Sequence, residues 1–236
     1  MTDLPLSNQL ALVTGASRGI GAATARALAA QGAHVVLTAR DAKALEATED
    51  AIFSAGGSAT IAPLDLTETD SIARLAAAIS GRWQALDVLV LNAATLGSLS
   101  AVPAIDAKEL ASVLTLNVSA QAALIAAFDP MLRQSANARL IGITSSVGRT
   151  PRAFWGLYGA SKAAFETLVG AYGDEMASIS KVRTAIVDPG ATRTRMRERA
   201  FPGENPADVK APEIVGDRIA ALVGEGFETG HFERVD

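Results

Sequence analysis

The 236 residues are 49% hydrophobic, enough for a sizeable core, and include no cysteine, which excludes a disulfide framework, a thiolate nucleophile and cysteine-ligated metal centres. Lys+Arg 21 against Asp+Glu 25 gives a net charge of −4, so nothing draws the chain broadly to nucleic acid or to an anionic membrane. The 2 histidines, His34 and His231, lie far apart, leaving little material for a metal site or a Ser–His–Asp triad, and no metal is expected.

Met1–Gln9 has no Lys or Arg and a glycine turn is reached by Gly15, which leaves no room for a signal peptide. No unbroken apolar run reaches the roughly eighteen residues that span a bilayer, so a cytoplasmic protein with no membrane or nucleic-acid partner is expected. Short β-branched runs then alternate with Ala/Leu-rich amphipathic ones. Leu10–Thr14 predicts a strand and Gly19–Gln31 a helix; Ala33–Ala39 a strand and Asp41–Ala55 a helix; Ser58–Leu64 a third strand. Thr67, with Asp70 three residues on, predicts the cap of a helix running to about Trp83. Asp87–Leu91 predicts a strand, and Ala107–Arg133 a long helix that kinks or stops near Pro130. Arg139–Ile143, Tyr158–Ile179, Val182–Asp188 and Pro212–Val223 predict strand, helix, strand and helix, with His231–Val235 as a short edge strand.

The strands are near-continuous apolar runs, the pattern of strands buried on both faces of a parallel sheet. Strand–helix alternation from end to end predicts an α/β fold, a single-domain doubly wound parallel sheet in three α/β/α layers over residues 1–236. The irregular stretch Gly190–Ala211, with Pro202, Gly203 and Pro206, is long enough to be a lid over a site.

Thr14-Gly15-Ala16-Ser17-Arg18-Gly19-Ile20-Gly21 falls where the first strand meets the first helix. Glycines there allow a tight turn and let phosphate approach the amides of a helix N-terminus. The second strand ends Thr38-Ala39-Arg40, with Ala39 where NAD-binding units carry an acid for the ribose. Arg40 suits a 2′-phosphate and Arg18 offers a second guanidinium, which favours NADP(H) over NAD(H). Asp41 keeps another reading open: a one-residue shift brings an acid to the ribose, or Arg40 and Asp41 are a solvated strand end capping the next helix.

Tyr158 and Lys162 stand at i and i+4 on one helix face, a phenol beside a cation that would lower its pKa. Ser145 closes the strand Arg139–Thr144 at the carboxyl edge of the sheet, where its hydroxyl can hold a carbonyl oxygen beside the tyrosine. Singly, each has a duller explanation in helix statistics or turn capping.

Together these residues resemble the short-chain dehydrogenase/reductase family, in its compact single-domain branch. The resemblance runs from Leu10 to about Gly230 and rests on Thr14–Gly21, Asp65-Leu66, Asn92-Ala93, Asn117-Val118, Ser145, Tyr158/Lys162 and Pro189-Gly190. It implies Tyr158 as general acid or base, Lys162 as the group that lowers its pKa and binds the nicotinamide ribose, and Ser145 as the carbonyl anchor. It implies that Asn117 holds a water of a proton relay; otherwise Asn117 is a helix-interior amide bonded to backbone. Asp65 and Leu66 would border the adenine, Asn92 the adenosine ribose region, and Pro189, Gly190, Thr192 and Thr194 the nicotinamide amide and the lid, with Ala93 also at the cofactor. A homodimer or homotetramer and a small carbonyl or alcohol substrate are implied as well.

The chain departs from the family pattern in Leu91-Asn92-Ala93-Ala94, which lacks the usual glycine, in the polar Ala191–Thr194, and in its end at Asp236, which bears on tetramer packing and on one pocket wall. Arg193, Arg195, Arg197 and Arg199 alternate along the lid, either as a solvated face or toward an anionic substrate. The pocket is expected around Leu96–Leu99, Val147–Trp155 and Met196–Phe201, with Phe154, Trp155 and Phe201 as aromatic walls. The expected activity is NADP(H)-dependent interconversion of a ketone or aldehyde with an alcohol. The competing expectation is a catalytically idle dinucleotide-binding sensor on the same fold.

Overall fold

The computed structural model describes residues 4–236. The strands β1 (Leu10–Thr14), β2 (His34–Ala39), β3 (Ser58–Pro63), β4 (Val88–Leu91), β5 (Arg139–Ile143), β6 (Arg183–Asp188) and β7 (His231–Arg234) form one 7-stranded sheet in the order β3-β2-β1-β4-β5-β6-β7. Every pairing is parallel, including the short edge strand β7, whose His231 lies opposite Ala185.

Side chains alternate between two apolar layers because successive strand residues point to opposite faces. Ala11, Val13, Val88 and Val90 face one layer, built with Leu28 of α1 (Gly19–Ala30), Leu45 and Ile52 of α2 (Ala42–Ser54) and Ile219 of α8 (Pro212–Glu225). Leu10, Leu12, Leu89 and Leu91 face the other, built with Ile72 and Leu75 of α3 (Ser71–Ser80), Leu124 and Phe128 of α5 (Ala120–Gln134) and Phe165 and Val169 of α6 (Gly156–Ala177). Two further helices, α4 (Ala107–Leu114) and α7 (Arg195–Ala200), complete the set used below.

The chain runs from β1 outward to β3, then returns to β4 on the other side of β1. The loops after β1 and β4 therefore diverge, and a crevice opens at the carboxyl edge of the sheet between them.

Three local expectations need correction. Thr67 does not cap α3: its amide and hydroxyl both donate to Asp65 Oδ1, at 2.9 and 2.7 Å, and the helix starts later, after Asp70 in a left-handed conformation with φ 60°. Ala107–Arg133 is not one regular helix, since a π turn at Thr115–Ser119 joins α4 to α5. Pro130 does not stop α5, which continues to Gln134; the carbonyl it leaves unpaired, four residues earlier at Ala126, belongs to an exposed residue that water can satisfy. By average hydropathy, the stretch Ala107–Gln134 is long and apolar enough to cross a bilayer, although no unbroken apolar run in it is; Leu124, Phe128 and Leu132 of this stretch are core residues here.

Candidate active site

The crevice is a cleft of about 1030 Å³, within reach of the upper end of the usual ligand-site range. At one end lies the turn after β1. Gly15 has φ +66°, and a Cβ on Gly21 would sit 2.3 Å from the Gly15 carbonyl oxygen, so no side chain fits there. Thr14 ties the turn to β4: its hydroxyl donates to the Val90 carbonyl at 3.1 Å and accepts from the amides of Asn92 and Ala93. The Asn92 amide donates to the Thr14 and Gly15 carbonyls, at 2.8 and 3.3 Å, so it braces the turn from behind. Asn92 lines the cleft, with its side-chain amide engaged by backbone. Thr14 opens the glycine motif in the sequence, but its bracing role is not read there, although a hydroxyl closing an apolar strand immediately before the glycine turn is a readable signal.

Helix α1 begins beneath this turn with Arg18 in extended conformation, no side-chain cap and no acidic residue in its first turn. Its free amides and the positive end of its dipole face the cleft together with Ser17, Gly19 and Ile20. These features fit a pyrophosphate.

Beyond the turn, Arg40 is 73% exposed and stands 3.7 Å from Asp65. The two Thr67 hydrogen bonds, more than Arg40, hold the Asp65 carboxyl below the usual carboxylate range. Asp41 caps α2, accepting from the Ala44 amide at 3.1 Å, and also lines the cleft beside Arg40. Arg40 and Arg18 both line this end of the cleft with Asp65 and the buried Leu66.

At the other end, Ser145 follows β5, while Tyr158 and Lys162 project from the first turns of α6, and all three line the cleft. Lys162 is buried and its ammonium donates to the Ile143 carbonyl at 2.7 Å, lying 5.8 Å from the centre of the Tyr158 ring. Burial pushes this ammonium down to about 8, partly opposed by Glu166. Burial, and then the Asp188 carboxylate, push the Tyr158 phenol well above its ordinary value. The expected lowering of the tyrosine by its lysine is thus not what this arrangement displays, because desolvation outweighs a cation turned toward a backbone carbonyl.

Asn117 lies behind the cleft, in the π turn. It is fully buried, its Oδ1 accepts from the Thr95 amide at 2.8 Å, and its Nδ2 donates to the Thr95 carbonyl at 2.8 Å and to Ser161 Oγ at 3.0 Å. Its side chain is thus engaged by the Thr95 backbone and by Ser161.

After β6, Pro189, Gly190, Thr192 and Thr194 border the cleft, and Thr192 pairs with Lys210 in an isolated bridge that closes the base of the segment between them. That segment is not wholly irregular: it holds α7, capped by Thr194 Oγ1 accepting from the Arg197 amide at 3.2 Å. Trp155 meets Tyr158 edge-on at 6.2 Å and Phe201 at 5.7 Å, with the Arg197 guanidinium 3.7 Å over Phe201. Arg197 is also paired with Glu204, whereas Arg193, Arg195 and Arg199 are exposed at the cleft rim. Leu96, Trp155 and Met196 line the cleft as expected; Phe154 does not, being 61% exposed in a left-handed conformation with φ 70°.

Among the residues expected to bind cofactor or take part in catalysis, all but Gly21 and Asn117 line the cleft, and those two support residues that do; of the three expected aromatic walls only Trp155 lines it, Phe154 and Phe201 lying outside. The model of the short chain dehydrogenase family matches residues 9–205. The chain belongs to the short-chain dehydrogenase/reductase family. It is 34% identical over 223 residues to the oxidoreductase YciK of Escherichia coli K12, covering 93% of this chain and 88% of that one. A short chain dehydrogenase structure from Pseudomonas syringae superimposes with a TM-score of 0.95 at 38% identity, covering 99% and 97% of the two chains. A Shigella flexneri 2a short chain dehydrogenase, whose structure is complexed with NADP, superimposes with a TM-score of 0.93 at 33% identity over 100% and 99%. As a member of this family the chain is an NAD(P)-dependent oxidoreductase.

Proposed function

We propose that the protein reduces a ketone or aldehyde to an alcohol, and catalyses the reverse reaction, with NADP(H) as the preferred nicotinamide cofactor. The observation that carries this reading is the convergence of Ser145, Tyr158 and Lys162 at one end of a single cleft whose other end is the glycine turn. Bound along that cleft, the nicotinamide cofactor supplies the hydride. The protein's share is placement and proton management.

In the reductive direction the substrate oxygen accepts hydrogen bonds from Ser145 Oγ and Tyr158 Oη. Negative charge develops on that oxygen as the carbonyl carbon is reduced, and Tyr158, held protonated by its burial, gives up its proton there. Lys162 in its charged form stabilises the phenolate that remains. Asn117 acts as a positioning residue: it fixes Thr95 on one side of the pocket and Ser161 beside Lys162 on the other.

The proposed preference for NADP(H) is supported by Arg40 and Arg18 at the adenosine end, where a 2′-phosphate would meet guanidinium. The NADP complex of the Shigella flexneri relative accords with it. Residues 1–236 act as one Rossmann-type domain with Gly190–Ala211 as its lid. The substrate is a small molecule, and a cytoplasmic homodimer or homotetramer is the form proposed.

The test is oxidation of NADPH and of NADH against a panel of ketones and aldehydes, beside direct cofactor titration. Carbonyl-dependent NADPH oxidation supports the enzyme. Tight cofactor binding with no turnover on any carbonyl would favour the idle sensor.

A further inference from the structure

Outside the residues already placed at the cleft, one carboxylate stands apart. Glu166 is on α6, one turn after Lys162, with a side chain only 11% exposed. Its Oε1 accepts from the Thr144 hydroxyl and its Oε2 from Arg149 Nε at 2.6 Å. Thr144 and Arg149 bracket the segment that carries Ser145. The same carboxylate therefore grips both ends of this segment, and does so from the helix that carries Tyr158 and Lys162.

The segment also lies directly on the helix. A Cβ on Gly148 would come within 3.1 Å of both Glu166 Oε1 and Lys162 Cβ and within 3.2 Å of the Ala163 amide nitrogen, so the turn packs closely on the helix and a side chain there would need its neighbours to give by a few tenths of an ångström. Arg149 in turn lies 3.5 Å over the ring of Phe232 in β7, which limits its freedom to swing away from Glu166.

We propose that Glu166 is a positioning residue for the reaction: it sets the spacing between Ser145 and the Tyr158–Lys162 pair, and it places a negative charge one helical turn from the Lys162 ammonium. The first part follows from the two tethers. Acid, hydroxyl and substrate oxygen must agree to a fraction of an ångström, and a misplacement of about 1 Å costs about a hundredfold in rate.

The second part follows from the groups around Lys162. Its own helix presents Tyr158 and Glu166, β5 presents the Ile143 carbonyl, and the turn presents Arg149 on the far side of Glu166, while Asp188 of β6 acts on Tyr158. Removing the Glu166 charge leaves Arg149 uncompensated, and both changes push the proton off Lys162.

This inference rests on the reading of the site as a carbonyl reductase, so its test includes a readout that needs no substrate. Lys162 is titrated by NMR of isotopically labelled lysine in the wild type, Glu166→Gln, Glu166→Asp and Thr144→Val, and NADPH-dependent kcat is measured for each. Glu166→Gln is expected to lower the Lys162 midpoint by about half a pH unit or more and kcat by about tenfold. Glu166→Asp is expected to restore the midpoint, while its shorter arm cannot hold both tethers and leaves kcat low. Thr144→Val keeps the charge and is expected to lower kcat with the midpoint unmoved.

A Glu166→Gln midpoint within about 0.2 units of wild type, or kcat within twofold in both Glu166→Gln and Thr144→Val, overturns the proposal. Should Glu166→Gln fail to fold, Glu166→Asp and Thr144→Val decide it by the same readings. If the wild type reduces no carbonyl, the functional reading fails while the titration still judges Glu166.

Discussion

A phenol pushed up by burial and an ammonium pushed down to about 8 by the same burial assign different pH limits to the two groups. Throughout the neutral range Tyr158 keeps its proton and suits the reductive direction, while Lys162 loses its charge as pH rises through 8. The rate of carbonyl reduction, kcat/KM, is therefore expected to be flat near neutrality and to fall about tenfold per pH unit above about 8, measured with NADPH saturating. The sign for stability is opposite. An unfolded lysine binds its proton up to 10.5 whereas the folded one releases it near 8, so this group adds stability as pH rises between those values. At the other end of the cleft, the test residue is Arg40, free but for its 3.7 Å approach to Asp65. Arg40→Asp is expected to weaken NADPH about tenfold to a hundredfold and leave NADH within a few-fold, read by fluorescence titration. An unchanged ratio of the two affinities would remove the basis for the NADP(H) preference.

Among the elements, the π turn between α4 and α5 does the least expected work. It turns Asn117 inward, so that a side-chain amide pairs with both the N–H and C=O of Thr95 as a neighbouring strand would. Asn117→Ala strands those groups and the Ser161 partner, and about 2 kcal/mol of unfolding free energy is expected to be lost, measured by urea denaturation. A loss near zero would mean that water replaces the amide. What could be read from sequence at this scale follows the range of the forces. Strand positions were legible because apolar β-branched runs such as His34–Ala39 are local, and the Tyr158–Lys162 face because helix geometry is local. The late start of α3 was not, because Asp65 competes for Thr67. Nor was the Asn117–Thr95 clamp, whose partners are 22 residues apart and meet only once β4 and the helix are packed. Nor was the Glu166 grip on Thr144 and Arg149, whose partners lie 22 and 17 residues away in the chain.

Over the whole molecule, the far edge of the sheet reaches back to the cleft. Strand β7 pairs with β6, the Val235 amide donates to the Asp188 carbonyl at 2.9 Å, and Gly190 packs on Val235 immediately beneath the lid's starting point. Arg218 of α8 pairs with Glu233, and Arg149 covers Phe232, so the strand is held from both faces. Deleting residues 231–236 is expected to lower the melting temperature by several degrees, a loss of about 1–3 kcal/mol, and to raise KM for the cofactor more than KM for the carbonyl. Equal effects on both would show that the strand supports the fold without supporting the cofactor end of the lid.

The account depends most on Tyr158 as the proton donor, and single-turnover reduction of a carbonyl by bound NADPH in the wild type and in Tyr158→Phe tests it most directly. Loss of about a thousandfold or more in the chemical step, with NADPH affinity unchanged within a few-fold, is the result predicted. A phenylalanine variant that reduces the carbonyl at close to the wild-type rate would contradict it.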